Sequence, residues 1–324
     1  MPVVLNSSYT APFGFSNGHV QTVFPQIRNV QGVVYRRERI ETPDDDFLDL
    51  DWAENGSSRL AILSHGLEGN TQRPYILGMI RALLKRGWDA LAWNYRECSG
   101  QPNRNLRWYH SGDTGDLDTV IRHVIARDRY SERILIGFSL GGNVTLKYLG
   151  EKGSEARRFV SKAVALSVPC DLKASALKLE RRANRIYMIR FLRSLHEKVR
   201  AKMHLFPDSI KDTGFEKIRT FTQFDDRYTA PIHGFRDAED YFAKSSSRQF
   251  LPEIRIPALL INAKNDPFLP EPCFPYVEAE GNPCFFFESP ESGGHVGFVR
   301  LRNNGEYWSE TRAVEFLETA RPNS

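Results

Sequence analysis

The sequence predicts an α/β fold: an eight-stranded, mostly parallel sheet with helices on both faces and a helical lid inserted late in the chain. Three observations predict it. Short apolar runs alternate with segments of helical spacing along most of the 324 residues. One such run ends in a Gly-x-Ser-x-Gly turn that opens a helix. From about residue 171 to about residue 250 the alternation stops.

Val33 to Ile40 and Phe47 to Trp52 read as an opening antiparallel pair around the turn-forming Thr42-Pro43-Asp44-Asp45-Asp46. Charge between Asn29 and Arg39 marks the first of them as a sheet edge. Leu60 to Ser64, Ala90 to Trp93, Arg133 to Gly137 and Ala163 to Ser167 follow as core strands, with Tyr75 to Lys85 and Asp116 to Arg127 helical between them. Ile256 to Asn262 and Cys284 to Glu288 complete the sheet. Residues 1–170 and 251–324 therefore form the core, and 171–250 the insertion. A hydrophobic content of 41% and a charged content of 26% are ordinary for a globular protein, and the net charge of +4 argues against a dedicated nucleic-acid binder.

The chemistry is concentrated in Ile134-Leu135-Ile136-Gly137-Phe138-Ser139-Leu140-Gly141-Gly142, an apolar strand, a tight turn and a helix start. That context turns Gly-x-Ser-x-Gly into a nucleophile elbow, with Ser139 lifted out of the sheet. A serine hydroxyl is a weak nucleophile at neutral pH and needs a base and an orienting acid, which in this arrangement follow it in the order acid, then histidine. Asp266 lies in the loop after Ile256 to Asn262, and His295 in Gly293-Gly294-His295-Val296-Gly297 after Cys284 to Glu288. All three candidates stand at strand ends, where open α/β sheets bind ligands. Glu288 and Glu291 are rival acids but precede His295 too closely. His110 is a rival base in the wrong order. Leu60 to Ser64 ends in His65-Gly66-Leu67-Glu68-Gly69, so the oxyanion donors are expected to be the backbone N–H groups of Leu67 and Leu140, with His65 fixing the loop.

These features sit among further motifs. They include Phe15-Ser16-Asn17-Gly18-His19-Val20-Gln21-Thr22, Tyr109-His110-Ser111-Gly112-Asp113, Asp226-Arg227-Tyr228-Thr229-Ala230-Pro231 and Gly293-Gly294-His295-Val296-Gly297-Phe298. Together, from about residue 13 to about 300, the chain resembles the YheT-like branch, or AB hydrolase 4 family, of the α/β-hydrolases. The resemblance implies the α/β-hydrolase fold and a serine hydrolase of short- to medium-chain acyl esters. The serine chemistry needs no cofactor and no metal, and the resemblance implies monoacylglycerol, phospholipid and fatty ethyl ester activities among relatives. One departure is Arg96-Glu97-Cys98-Ser99-Gly100, where the family shows glycine in place of Glu97, so the backbone of that loop is expected to differ. Cys98 reads as a packed thiol. An acyltransferase using the same residues and a non-catalytic ligand-binding homologue remain as alternatives.

Four cysteines show no metal-type spacing; Cys273 and Cys284 are close enough in sequence to pair, but nothing demands it. The start, Met1-Pro2-Val3-Val4-Leu5-Asn6, lacks a basic apolar leader, and no run reaches about eighteen apolar residues. A cytoplasmic location with reduced thiols and no integral membrane segment is the expectation. Leu172 to Met203 is nearly all of helical pattern, and in it ten Lys or Arg stand against Glu180 and Glu197. Ile186, Tyr187, Ile189, Phe191, Leu192 and Leu195 would line an acyl pocket. The basic face suits either plain solvation or peripheral contact with an anionic lipid surface.

Overall fold

The computed structural model describes residues 2–301 and 305–319. Residues 1, 302–304 and 320–324, which the sequence assigns to the core, lie outside that set. Among the described residues nine strands form one sheet: β1 (Val3–Val4), β2 (Arg36–Glu41), β3 (Phe47–Ala53), β4 (Arg59–Ser64), β5 (Asp89–Asn94), β6 (Glu132–Phe138), β7 (Lys162–Leu166), β8 (Ala258–Ile261) and β9 (Phe285–Glu288). Their order is β1-β9-β8-β7-β6-β4-β5-β3-β2. Only β3 runs against its neighbours; the other pairings are parallel.

The expectation of eight strands falls one short. Val3 and Val4 pair in parallel with Phe287 and Glu288, and two residues are too few to show a period. At the other edge β2 begins at Arg36 rather than Val33, and its charge is used. Arg37 and Arg39 cross to the buried Asp51 and Asp49 of β3 at 2.8 Å each. An edge built this way resists pairing with another chain.

Helices α1 (Gly18–Val23), α2 (Pro74–Leu84), α3 (Thr114–Ala126), α4 (Leu140–Lys152), α5 (Leu172–Leu179), α6 (Arg185–Leu205), α7 (Ala238–Ser245) and α8 (Trp308–Glu318) complete the frame used below. The central strands are buried on both faces, which is why they read as unbroken apolar runs. On one face α3 and α4 pack Leu117, Val120, Val144 and Leu149 against Leu135 and Leu260; on the other α2 and α8 pack Met79, Ile80, Trp308 and Val314 against Ile136 and Leu259. A third apolar cluster joins the insertion to Trp108 and Phe268.

Between β7 and β8 the chain is helical, as the sequence predicts, but the run from Leu172 is broken into α5 and α6. Asn184 breaks it. Its side-chain amide donates to Lys178 O at 3.0 Å and to Pro267 O at 2.8 Å, tying the turn to the loop after β8. Within this segment Asp225–Thr229 forms a π-helical turn, a geometry that recurs at functional sites.

Candidate active site

Four strand ends converge at the carboxyl edge of the sheet. Ser139 sits between β6 and α4 with φ 52° and ψ −119°, a backbone state that costs a residue with a Cβ about 1–3 kcal/mol. The surrounding packing holds it there. A Cβ on Gly137 would lie 2.4 Å from Gly141 O, and one on Gly141 would lie 2.3 Å from Ser64 O. Glycine at both places lets strand, turn and helix approach closely enough to force the serine outward.

The predicted partners reach it. His295 Nδ1–H donates to Asp266 Oδ2 at 2.8 Å, which leaves Nε2 to accept from Ser139 Oγ–H at 2.9 Å. Asp266 is buried, and its other oxygen accepts from Phe268 N at 2.8 Å. The Phe268 ring lies 4.3 Å from the imidazole, covering it from water. The rival acids are engaged elsewhere: Glu288 accepts from Ser7 and Arg312, and Glu291 pairs with Lys264. The rival base His110 accepts from Gly112 N at 3.2 Å, and its ring lies tilted against that of His233 with centroids 4.6 Å apart. Burial pushes its pKa down to about 3.

The histidine loop is held by residues to which the sequence gives no role. Thr22 Oγ1 accepts from His295 N, and Ser167 Oγ from Val296 N, both at 2.9 Å. Asn265 Oδ1 accepts from Gly294 N at 3.0 Å. A Cβ on Gly18 would lie 2.0 Å from Asn265 O. The Asn17 to Thr22 motif is thus a clamp across the acid and histidine loops. The motif is visible in sequence, but the strand ends it covers are set by tertiary packing.

At the end of β4 the Gly66–Leu67 peptide is oriented by His65. The His65 Nε2 accepts from Tyr95 N at 3.3 Å, so Nδ1 carries the proton and donates to Gly66 O at 2.8 Å. Because the peptide is planar and trans, fixing its C=O on one side directs the Leu67 N–H to the other. Burial lowers the His65 pKa to about 3, so the ring stays neutral in this role. Among the described residues neither Leu67 N–H nor Leu140 N–H donates to a protein acceptor.

Glu97 takes φ 65°, the left-handed turn that glycine adopts freely, so the loop keeps a glycine-type backbone despite its Cβ. Its carboxylate accepts from Asn103 N at 2.7 Å and pairs with the fully buried Lys202 of α6 at 2.6 Å. All four cysteines are free, Cys273 and Cys284 included; Cys98 is buried 3.1 Å from Lys198 Nζ.

Two cavities meet at Ser139 and His295, with Leu67, Phe191 and Phe268 in both walls. The first, about 120 Å³, is apolar and is lined by Leu172, Leu179, Leu195, Phe221 and Phe224. Of the apolar face expected on α6, only Phe191 and Leu195 reach it. Ile186 and Ile189 point to solvent, 81% and 56% exposed, Leu192 packs into the insertion, and Tyr187 lines the second cavity. Helical spacing reveals a stripe but not how wide a stripe its neighbour covers. One acid interrupts the first wall: burial pushes Asp225 up to about 7, the Thr229 hydroxyl opposing and Asp226 adding to the rise.

Among the described residues no helix is long and apolar enough to cross a membrane. A family model for the α/β hydrolase fold matches residues 62–299. The candidate esterase YheT of Escherichia coli is 36% identical over 316 residues, covering 94% of this chain and 92% of that one. The mouse phospholipase ABHD3 is 30% identical over 308 residues, covering 92% and 74%. Among solved structures, the Pyrococcus furiosus esterase Pf2001 superposes with a TM-score of 0.60 at 19% identity, covering 95% of this chain and 98% of that one, a likeness of fold. With matches spanning nearly its whole length and the elbow, acid and histidine at the expected strand ends, the chain belongs to the YheT-like branch of the α/β-hydrolase family.

Proposed function

We propose that the protein is a serine carboxylesterase acting on short- to medium-chain acyl esters through an acyl-enzyme. The observation that carries this reading is the unbroken hydrogen-bond chain from Asp266 through His295 to Ser139, opening on an apolar cavity. His295 Nε2 takes the Ser139 proton as Oγ attacks the ester carbonyl. The oxygen that becomes negative is met by the N–H groups of Leu67 and Leu140, each such donor contributing about 2.7–4 kcal/mol to the transition state. Collapse breaks the C–O bond, and the alcohol leaves with the proton from Nε2. Water then yields a proton to His295, adds to the acyl carbon, and the second collapse frees Ser139 and the carboxylic acid. Asp266 keeps the proton on Nδ1 and balances the imidazolium.

Residues 171–250 act as the lid in this reading, and the acyl chain lies between Phe191, Leu195 and Phe221. The exposed Ile186 and Ile189, beside Arg182 and Arg185, suit peripheral contact with an anionic lipid surface. Hydrolysis of p-nitrophenyl esters from acetyl to decanoyl tests the reading. Turnover with an optimum below decanoyl is expected. No turnover with any member of the series would contradict it.

A further inference from the structure

The second cavity, about 210 Å³, is unlike the first. Its wall carries Arg73 from the start of α2 and Arg190 from α6, together with Tyr75, Tyr187 and Ser194. Its one wall carboxylate, Glu68, is already committed, accepting from Tyr109 Oη at 2.6 Å and pairing with Lys198 at 2.8 Å. Arg73 Nη2 donates to Glu68 O at 2.8 Å. Among the described residues neither Arg73 nor Arg190 meets a carboxylate. With Glu68 balanced by Lys198, the wall holds two uncompensated positive charges beside the reacting serine. A guanidinium is built to take two oxygens of one anion.

We infer that this cavity is a subsite for an anionic alcohol portion, a phosphate or carboxylate carried on the alcohol side of the ester and held by Arg73 and Arg190. The inference rests on the esterase reading of Ser139 and deepens it. The apolar cavity takes the acyl chain, the scissile carbonyl lies where the two cavities meet, and the leaving alcohol departs through the charged one. No further step of chemistry is added.

The test compares butanoyl esters of glycerol, of glycerol 3-phosphate and of glycolate, with wild type and the Arg73→Gln/Arg190→Gln pair. Wild type should prefer the anionic esters in kcat/KM by about tenfold or more, the scale of one charge-assisted hydrogen bond. In the pair the ratio should fall toward unity through a higher KM for the anionic esters. Arg73→Lys/Arg190→Lys should restore part of it, and salt should erode the wild-type preference. A preference for phosphate alone, or for both anions, identifies which oxyanion the site takes. A wild-type ratio near unity, or one unchanged by the Gln pair, would overturn the inference. Calorimetric binding of butanoyl glycerol 3-phosphate to Ser139→Ala, with and without the Gln pair, separates this from the esterase reading. Binding lost with the arginines supports the subsite even if no ester is turned over, whereas equal binding overturns it.

Discussion

Replacing Ser139 with alanine is expected to lower kcat for a p-nitrophenyl ester on the order of 10⁶-fold, and Asp266→Asn roughly 10⁴-fold. The two losses have different causes. Under the proposed mechanism no acyl-enzyme forms without the Oγ, and what remains is water reacting beside the proposed Leu67 and Leu140 donors. In the Asp266→Asn variant the geometry survives, because an amide can still hold Phe268 N and face the imidazole. But the amide NH₂ group donates to Nδ1, which moves the ring proton to Nε2, where it can no longer accept from Ser139. The two changes together should cost little more than Ser139→Ala alone, since the residues act as one unit. Steady-state kinetics of the three variants, with thermal melting as the check on folding, measures this.

Lys202→Met is expected to destabilise the protein by about 3–5 kcal/mol, the usual consequence of stranding one half of a buried ion pair. Its side chain is fully buried and pairs with Glu97 at 2.6 Å while donating to Asn103 O at 2.8 Å and to Asn105 O. Removing it leaves the Glu97 carboxylate without its counter-charge, still accepting from Asn103 N, and takes a donor from two carbonyls at the joint between α6 and the core. Glu97→Gly should cost less, because glycine relieves about 1 kcal/mol of left-handed strain while it strands the lysine. Combining Glu97→Gly with Lys202→Met should restore most of the loss, as no charge is left unpaired. Urea unfolding of the two single variants and the double variant closes this cycle. Simple additivity would show that the pair is not what holds this joint.

The central strands and the candidate site are legible in sequence for one reason. In this fold each site residue stands within a few positions of an apolar run, so locating the run locates the residue. Ser139 follows β6 directly, and Asp266 and His295 lie in the loops after β8 and β9. What is not legible depends on partners distant in the chain. Val3 and Val4 become a strand only because the edge of β9 is there to receive them. The break between α5 and α6 is set by Pro267 O, 83 residues from Asn184. Thr22 acts on a histidine 273 residues away. Glu97 shows the same limit: its departure from the family pattern is plain in the sequence, yet the lysine that offsets it is on another element.

The most direct measurement is to treat the protein with a serine-directed phosphonate and map the adduct by peptide mass spectrometry. One adduct on Ser139 is predicted, absent from Ser139→Ala and formed far more slowly in Asp266→Asn. No adduct, or an adduct on another serine with Ser139 unmodified, would contradict the assignment of Ser139 as the nucleophile.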